Sequence, residues 1–473
     1  MNANGNPPPA VPPRKPTLTT PVQAEPSRPR EKVPFQSVPQ PQSSRAYLYA
    51  GIAISVLVVV VIGAGVIRAM GGKGGEQAPK GERAASQTPL PLGMPAAAAG
   101  PAKGITDTEI VFGMASPFSG PNKELGRGMK AGLELAFAAA NEAGGIDGRK
   151  LRLVALDDEY EPSKTSAVMK ELVETRKVFA IVGNVGSPTA AVSVPYVNEK
   201  KIPFIGALSG APVLRRDPPD RYVFNYQPSY AEETAAAVRY LVNVRRYRPS
   251  QIAVFAQQDD FGEACWEGAV AQLRRYKRDP AQILKTGYKR NTAEVEEAVA
   301  RITEAGEELR AVVMGATYRA AARFIVKVRD AGLKVTFTNV SPVDSDQLSE
   351  ELVGAGKGYA DDVVVTQIVP PPTSNATAVI KYRHLLEKYM LGEKPEWLSL
   401  QSYIIGNILI EGLRRAGRNV SAESLVDALE SIKGLDLGIG VPIAFGPSEH
   451  QGSHKVWGTM LQPDGTYKLI DLE

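Results

Sequence analysis

From Thr106 onward, short apolar runs alternate with longer segments in which apolar residues recur at helical spacing. Strands that alternate with helices build parallel sheets covered by helices on both faces. The runs fall into two series, which predicts two similar α/β lobes. The first series is Ile110–Ala115, Leu151–Leu156, Phe179–Val182 and Pro203–Ile205, and the second is Ile252–Ala256, Ile283–Leu284, Ala311–Met314 and Val335–Thr338.

Helical spacing is clear in Pro121–Ala143 and in Thr317–Ala331, which lie between predicted strands. Further along the chain, Asn375–Gly434 predicts three consecutive helices. The closing stretch, HKVWGTMLQPDGTYKLIDL, predicts a β-hairpin, because Pro463-Asp464-Gly465 is a turn sequence between two apolar runs.

The net charge of +4 is carried by residues 1–45, so the rest of the chain is neutral and gives no electrostatic case for nucleic-acid binding. This N-terminal tail is rich in Pro, Gln and Ser and poor in large apolar residues. Such a composition cannot bury enough surface to offset the entropy of ordering, so residues 1–45 are predicted to be disordered. Cys265 is the single cysteine, which excludes an internal disulfide and a cysteine-based metal site.

Residues 46–67 contain no charged side chain and are about long enough to span a bilayer as a helix. We expect residues 46–68 to be an uncleaved transmembrane signal anchor, with a cleaved signal peptide as the alternative. The excess of basic residues upstream favours a single-pass inner-membrane protein with a cytoplasmic N-terminus and a periplasmic or extracellular body. Residues 69–104, rich in Gly, Pro and Ala, predict a flexible linker.

The stretch SPFSGPNKELGRGMKAG contains a G-x-G-x-x-A pattern at Gly126, Gly128 and Ala131. A dinucleotide site needs its first glycine at the turn that leaves the strand, whereas here about ten residues separate the apolar run from Gly126. A phosphate loop is therefore not favoured. We expect these small residues to allow a helix to pack closely, and we predict no bound cofactor.

Two other groups of polar residues are interpreted as structural. His450 and His454 lie beside Glu449 in a turn sequence that cannot complete a metal site by itself, so no metal is predicted. Asp157 and Asp158 follow a predicted strand and are expected to cap the next loop. No Ser/His/Asp set has supporting context, so we expect no catalytic residues and no enzyme.

Several motifs follow one another along the chain in the order found in one known family. They are the Ser119-Gly120 loop, NEAGGIDGRKL, DDEYEP, IVGNVGSPTAAVSVPYVNEKKIPFIGALSGAP, VFAQQDDFGEACWEGA, VRDAGL, SLQSYIIGNILIEGLRRAG and FGPSEHQGSHKVW. From Thr106 to Glu473 the chain resembles the branched-chain amino-acid (Leu/Ile/Val) type substrate-binding proteins of ABC transporters. The resemblance is specific because it spans the entire body and no single motif carries it.

This resemblance implies the type I periplasmic-binding-protein clamshell, in which two doubly wound parallel-sheet lobes are joined by three hinge crossovers. The body, residues 105–473, then has a first lobe of about 105–226 and 372–445 and a second lobe of about 227–371 and 446–473. The crossovers are implied near Asn225–Ser229, Thr366–Pro372 and Phe445–Ser448.

In the first lobe, Ser187 and Thr189 precede a helical segment, and a helix start offers free N–H groups to an anion. A cap without a ligand is the alternative. The resemblance implies that Ser187 receives a ligand carboxylate and that Ser209 and Gly210 form a second wall. The family often has Thr at the position of Gly210.

For the second lobe the resemblance implies ligand contacts from Tyr230, Phe261, Thr317 with Tyr318, Ser341 and Asp344, with ordinary core packing as the alternative for each. Phe261 stands where amino-acid binders usually have Tyr. Ser341 falls where the family places an acidic partner for the ligand ammonium. Asp344 or Asp346 is expected to restore that charge.

The leading hypothesis is extracytoplasmic binding of a small solute, an amino acid or a related carboxylate or amide, for ABC-type uptake by closure of the lobes. The partners would be the solute, ABC permease subunits and, through one N-terminal helix, the membrane. The alternative is a membrane-anchored receptor ectodomain that reports the solute to a membrane sensor partner.

Overall fold

The computed structural model describes residues 103–473. Two sheets organise this part of the chain, one of five strands and one of seven. The predicted tail and anchor, and the predicted linker up to residue 102, lie outside the described residues. No helix within 103–473 is both long enough and apolar enough to cross a bilayer.

The first lobe is built on the five-stranded sheet, whose strands are all parallel. Its apolar side chains form cores on both faces of the sheet, as expected for strands covered by helices on either side. The elements that form it before the chain leaves the lobe are β1 (Glu109–Ser116), α1 (Lys123–Glu142), β2 (Lys150–Asp157), α2 (Pro162–Lys170), β3 (Ala180–Val182), α3 (Ser187–Lys200), β4 (Phe204–Ile205) and β5 (Val223–Phe224). The strands lie in the order β2-β1-β3-β4-β5.

The second lobe is built on the seven-stranded sheet. Its elements are α4 (Tyr230–Arg239), β6 (Ile252–Gln257), α5 (Asp260–Arg275), β7 (Lys285–Tyr288), α6 (Glu296–Glu304), β8 (Ala311–Gly315), α7 (Tyr318–Asp330), β9 (Thr336–Asn339), α8 (Ser345–Ala355), β10 (Val363–Gln367), β11 (Trp457–Leu461) and β12 (Tyr467–Ile470). The strands lie in the order β12-β11-β10-β9-β8-β6-β7. Strands β6 to β10 are parallel, and the C-terminal hairpin adds two antiparallel strands.

Three helices then return to the first lobe, as the sequence predicted. They are α9 (Thr377–Tyr389), α10 (Trp397–Ala416) and α11 (Ala422–Glu430). Helix α10 packs along α1, and the glycines of α1 make the close approach possible. A Cβ on Gly132 would lie 1.9 Å from the carbonyl oxygen of Ser399, and one on Gly128 would lie 2.9 Å from the Cβ of Leu398. Gly126 also lies inside α1, where a Cβ would lie 1.9 Å from the Pro117 carbonyl oxygen of the preceding loop. Close packing therefore accounts for both glycines of the G-x-G-x-x-A pattern.

The chain passes between the two lobes three times, and the passages lie side by side. The first follows β5, the second follows β10, and the third lies between Gln451 and β11. The Tyr226 hydroxyl of the first donates to the Ile368 carbonyl of the second at 2.7 Å. The Asn225 N–H donates to the His450 carbonyl of the third segment at 2.8 Å.

The third passage comes a few residues later than the sequence implied at Phe445–Ser448. Phe445 belongs to the core of the first lobe, and the His450 ring stacks on Phe224 with ring centroids 3.8 Å apart. Its Nδ1 lies 2.9 Å from the Val223 carbonyl oxygen. His450 therefore fastens this segment to the first lobe, and the chain leaves only afterwards.

Most predicted strands and helices are confirmed to within one or two residues, and the C-terminal hairpin turns at Pro463-Asp464-Gly465 as predicted. One strand was misplaced, since Ile283–Leu284 precedes β7 and the strand begins at Lys285. Two strands, β5 and β10, were missed. Strand β5 has only two residues and gives almost no periodic signal.

Candidate functional site

Ser187 and Ser209 form the first-lobe wall of the candidate site. Ser187 begins α3, and Ser209 lies in the loop that follows β4. Their hydroxyl oxygens are 2.8 Å apart, and both side chains are buried. The Ser209 hydroxyl also accepts the Ala211 N–H at 3.2 Å. The cap position itself belongs to Gly186, whose φ of 108° is in the region that favours glycine, so the Ser187 side chain is not used as the N-cap.

Thr189 lies in the first turn of α3, and its side chain points back toward the loop before the helix. The hydroxyl donates to backbone carbonyls of the preceding loop and lies 2.9 Å from the Gly186 oxygen. Because a hydroxyl has one proton, Thr189 has no further proton to donate to a solute. Its contribution to an anion site would come from the helix N-terminus instead.

Gly210 brings the first-lobe wall against the start of α4. Its carbonyl accepts the Tyr230 N–H at 2.9 Å. A Cβ at Gly210 would lie 2.6 Å from both the Tyr230 nitrogen and the ring Cδ1. This contact explains why Gly replaces the Thr that is frequent in the family, since any side chain here would push α4 away.

Tyr230 and Phe261 are the second-lobe aromatic residues that face this wall. Their ring centroids are 5.1 Å apart, and both belong to a small cluster with Ala211, Cys265 and Val340. Burial raises the pKa of Tyr230, and a nearby Ser187 hydroxyl offsets part of the rise. The phenol therefore stays protonated at neutral pH and can serve as a hydrogen-bond donor.

Thr317 and Tyr318 lie at the start of α7. The Thr317 N–H donates to the Tyr288 hydroxyl at 2.9 Å. The Tyr318 hydroxyl donates to the Pro121 carbonyl of the first lobe at 2.6 Å. Burial raises the pKa of Tyr318 to about 12, so it also remains a donor at neutral pH. Tyr318 thus joins the two lobes, whereas Thr317 belongs to a polar network within the second.

Asp344 and its neighbour Asp346 both make contacts that hold helix ends. Asp344 is the N-cap of α8 and accepts the Gln347 N–H at 3.2 Å. Asp346 accepts the Trp397 N–H at 2.9 Å, which caps α10 of the other lobe. Burial raises the pKa of Asp344 well above its usual range and that of Asp346 to about 7.

Ser341 is hydrogen-bonded to the carboxylate of Glu233, a residue that the sequence did not point to. Its N–H donates to Glu233 Oε2 at 2.8 Å and its hydroxyl to Glu233 Oε1 at 3.1 Å. Glu233 is on α4, one turn after Tyr230, and is fully buried. Its spacing after Tyr230, at i+3 on the same helix face, was the only signal in the sequence.

A second group missed from the sequence is a polar network of Tyr160, Gln257 and Tyr288. The Tyr288 hydroxyl donates to Gln257 Oε1 at 2.9 Å, and Gln257 Nε2 lies 3.3 Å from the Tyr160 hydroxyl. Tyr160 comes from the first lobe, from the motif DDEYEP. Asp158 holds its backbone by accepting the Tyr160 N–H at 3.0 Å, and Asp157 accepts the Glu159 N–H at 2.9 Å, which are the loop contacts expected of these two aspartates.

Polar contacts also close the outer rim between the lobes. Arg290 Nη2 lies 2.9 Å from Glu161 Oε2, and Asn291 Nδ2 donates to Glu161 Oε1 at 2.6 Å. Asn122 Nδ2 donates to Asn291 Oδ1 at 2.8 Å. The lobes are therefore in contact, and the protein is in a closed arrangement.

Ser187, Ser209, Gly210, Tyr230 and Phe261 thus come together where the lobes meet. Thr317, Tyr318, Ser341 and Asp344 lie at other helix or loop starts of the second lobe. The donors are hydroxyl and backbone N–H groups, which suit the recognition of a small polar solute. Within residues 103–473, no group of three or more His, Cys, Asp or Glu side chains is placed to hold a metal ion.

Two α/β lobes that are joined by three chain passages and meet over a polar interface define a two-lobed solute-binding protein with the type I periplasmic-binding-protein fold. The family model described as "Periplasmic binding protein" matches residues 109–466. The chain therefore belongs to the periplasmic binding protein family, and the relatives it resembles are substrate-binding proteins, not enzymes.

Three relatives illustrate the family. The crystal structure of a possible leucine/isoleucine/valine-binding protein from Rhodopirellula baltica is 34% identical, covers 79% of this chain and 98% of its own, and gives a TM-score of 0.74. A Pseudomonas aeruginosa "Amino acid binding protein" is 27% identical over 67% of this chain and 81% of its own. A branched-chain amino acid ABC transporter structure from Thermus thermophilus with bound valine, 19% identical, covers 77% of this chain and 96% of its own, with a TM-score of 0.67, and supports the fold alone.

Proposed function

We propose that the body binds one small solute, an amino acid or a related carboxylate or amide, between its two lobes and closes around it. The observation that carries the proposal is the meeting of the first-lobe wall, in which the Ser187 and Ser209 hydroxyls lie 2.8 Å apart, with Tyr230 of the opposite lobe, whose N–H donates to the Gly210 carbonyl at 2.9 Å. A ligand held by both lobes stabilises the closed arrangement, because it interacts more strongly with closed than with open protein.

The anionic end of the solute would lie at the start of α3. Unpaired N–H groups and the helix dipole favour negative charge at a helix N-terminus, and the Ser187 hydroxyl adds a donor. The names of two relatives, an amino acid binding protein and a possible leucine/isoleucine/valine-binding protein, support an amino acid as the first candidate.

Delivery to an ABC permease is the role we infer for this binding. A body tethered outside the cytoplasm by residues 46–68 would present captured solute to a permease in the same membrane, through the linker at 69–104. Deletion of the gene should then abolish uptake of the solute by intact cells. Unchanged uptake would remove the transport role while leaving solute binding intact.

A thermal-shift screen tests the binding itself. The full-length chain, in detergent because of its apolar segment, is heated with amino acids, amine-free carboxylic acids and amides, with neutral sugars as the control class. A solute that binds only native protein raises the midpoint temperature of unfolding, and the rise grows with the solute concentration. A screen in which only sugars raise the midpoint, or none of the solutes does, would contradict the proposed function.

A further inference from the structure

Helix α10 of the first lobe is capped at its start by a side chain of the second lobe. Asp346, in the first turn of α8, accepts the Trp397 N–H through Oδ2 at 2.9 Å. Glu396 occupies the cap position of α10 but makes no side-chain cap bond of its own. The first N–H groups of a helix have no partner within the helix, so α10 gains this one only when the lobes are together.

A contact between aromatic rings joins the lobes beside this hydrogen bond. The Trp397 ring meets the ring of Tyr467 on β12 nearly at right angles, with centroids 6.2 Å apart. Trp397 is buried, and Tyr467 packs against the cores of both lobes. The Tyr467 hydroxyl donates to the Ser345 carbonyl at 2.8 Å, directly before Asp346 in the chain. Asp346 therefore loses part of its hydration when the lobes close.

The charges that act on Asp346 are mostly of its own sign. The carboxylate of Glu396 acts on it from the first lobe, and that of Glu350 acts from the same helix. The ionisable groups that face Asp346 from the elements packed around it are Asp344 and Glu350 on α8, Glu396 before α10, Arg127 on α1, Tyr382 on α9 and Tyr467 on β12. Closing the lobes thus brings carboxylates of both lobes together at this place.

Arg127 is the cation among these groups, and three other carboxylates already share it. Its guanidinium lies 2.6 Å from Glu124, 2.7 Å from Glu396 and 3.2 Å from Glu393. Within residues 103–473, Arg127 forms no ion pair with Asp346. Removing a carboxylate from water next to another carboxylate favours its protonated form.

We propose that Asp346 and the start of α10 form a proton-dependent latch between the lobes, which holds the closed arrangement when Asp346 carries a proton and weakens when Asp346 ionises. A protonated carboxyl still accepts the Trp397 N–H through its carbonyl oxygen, so the hydrogen bond survives while the repulsion from Glu396 is lost. This inference rests on the lobe movement in the proposed function and is independent of which solute is bound.

The sign of the pH dependence follows from the two environments of Asp346. In the closed arrangement burial raises its pKa to about 7; Glu396 and Glu350 add to the rise, and the Trp397 N–H and Arg127 oppose it. In an open form, hydrated and away from Glu396, its pKa should lie near the ordinary value of about 4. Closure therefore takes up a proton between about pH 4 and pH 7, and the closing equilibrium gains at most about tenfold for each unit by which the pH falls.

The experiment measures lobe closure in the full-length protein without solute. Spin labels are placed at Leu391→Cys in the first lobe and Val353→Cys in the second, two exposed and uncharged positions, whereas Cys265 is buried and stays unlabelled. Double electron–electron resonance gives the distance between the labels from about pH 5 to pH 8. We expect the closed fraction to rise as the pH falls. Asp346→Asn keeps an acceptor for the Trp397 N–H but cannot ionise, so it should stay closed throughout.

Glu350→Gln is the matched control, because it removes an exposed carboxylate of the same helix whose hydrogen bond, to Gln347, stays within α8. It should keep the pH dependence, with a small shift of the closing midpoint to lower pH. Glu396→Gln covers the case in which Asp346→Asn does not fold. It removes the charge that faces Asp346 from the first lobe, so it should move the midpoint to lower pH by more than Glu350→Gln does.

The outcomes separate this inference from the proposed function. A closed fraction that does not change with pH in the wild type would overturn the latch, and so would an unchanged pH dependence in Asp346→Asn. If a mixture of the common amino acids still shortens the distance between the labels, the proposed function stands without the latch. A distance that neither pH nor the amino acids alter would overturn lobe closure, and the latch with it.

Discussion

Ser187 and Thr189 differ in whether their hydroxyls can still donate a hydrogen bond to a solute, and this difference can be tested. Ser187→Ala should weaken solute binding about ten- to a hundredfold, because one hydrogen bond to a charged group contributes roughly 1.5–3 kcal/mol. The free energy of unfolding should fall by only about 1 kcal/mol, since the lost protein contact is one neutral bond to Ser209. Titration calorimetry and urea unfolding measure the two quantities.

Thr189→Val is the control for this variant. The Thr189 hydroxyl already donates to the preceding loop, so its removal should leave affinity within about twofold. Should Ser187→Ala also stay within twofold, the solute anion does not lie at the start of α3, whatever the fold stability.

Glu233 should also make the stability of the protein without solute depend on pH. Burial raises its pKa from 4.5 to about 7 in the folded protein. Below pH 4.5 both the folded and unfolded forms hold the proton; between 4.5 and 7 only the folded form does. Stability therefore falls as pH rises through this window, by at most about 1.4 kcal/mol per pH unit.

Glu233→Gln has no proton to exchange at this position, so urea unfolding at several pH values should give a flatter curve. Burial also raises the pKa of Asp158 to about 6, so part of the loss of stability with rising pH should remain in both the variant and the wild type. Parallel curves for the variant and the wild type between pH 4.5 and 7 would show that Glu233 is ionised in the folded protein.

At the scale of elements, the approach of the loop after β4 to the start of α4 depends on the missing side chain of Gly210. Gly210→Ala should lower the free energy of unfolding by about 1–3 kcal/mol, because the new Cβ would meet the Tyr230 backbone at 2.6 Å. Gly354→Ala is the matched control: Gly354 is inside α8 with nothing within 4 Å of an added Cβ, and alanine favours helices. If the two changes had equal effects on the free energy of unfolding in urea, α4 would be able to move away from the new Cβ without cost.

The elements were predictable from the sequence because each carries its own periodic signal, as the match of α1 to Pro121–Ala143 shows. The proximity of Ser187 and Ser209 was also predictable, since both follow strands in motifs typical of the family, whereas their role in binding stays a prediction. Glu233 was not, because a glutamate in the first turn of an amphipathic helix is normally solvated. Its burial arises only when α4 packs over the ends of β9 and β10, a long-range arrangement that no local pattern encodes.

For the molecule as a whole, the rim contacts predict how solute and closure are coupled. Arg290 and Glu161 form an ion pair between the lobes, with side chains 23% and 34% exposed. A partly exposed pair contributes only about 0.2–1 kcal/mol. This contact therefore biases the closed arrangement without locking it, and solute binding should supply the rest.

Arg290→Gln should shift the unliganded protein toward an open form and weaken solute binding by a few-fold, because only the closed fraction binds tightly. Small-angle scattering should show a larger radius of gyration for the variant without solute, and the same compact form as the wild type at saturation. Arg221→Gln is the control: its partners Glu423, Asp427 and Glu430 belong to the same lobe, so neither scattering nor affinity should change. If the scattering profile of the wild type is the same without solute and at saturating solute, and both variants match it, closure is not the binding mechanism. The solute would then bind in a rigid site between fixed lobes.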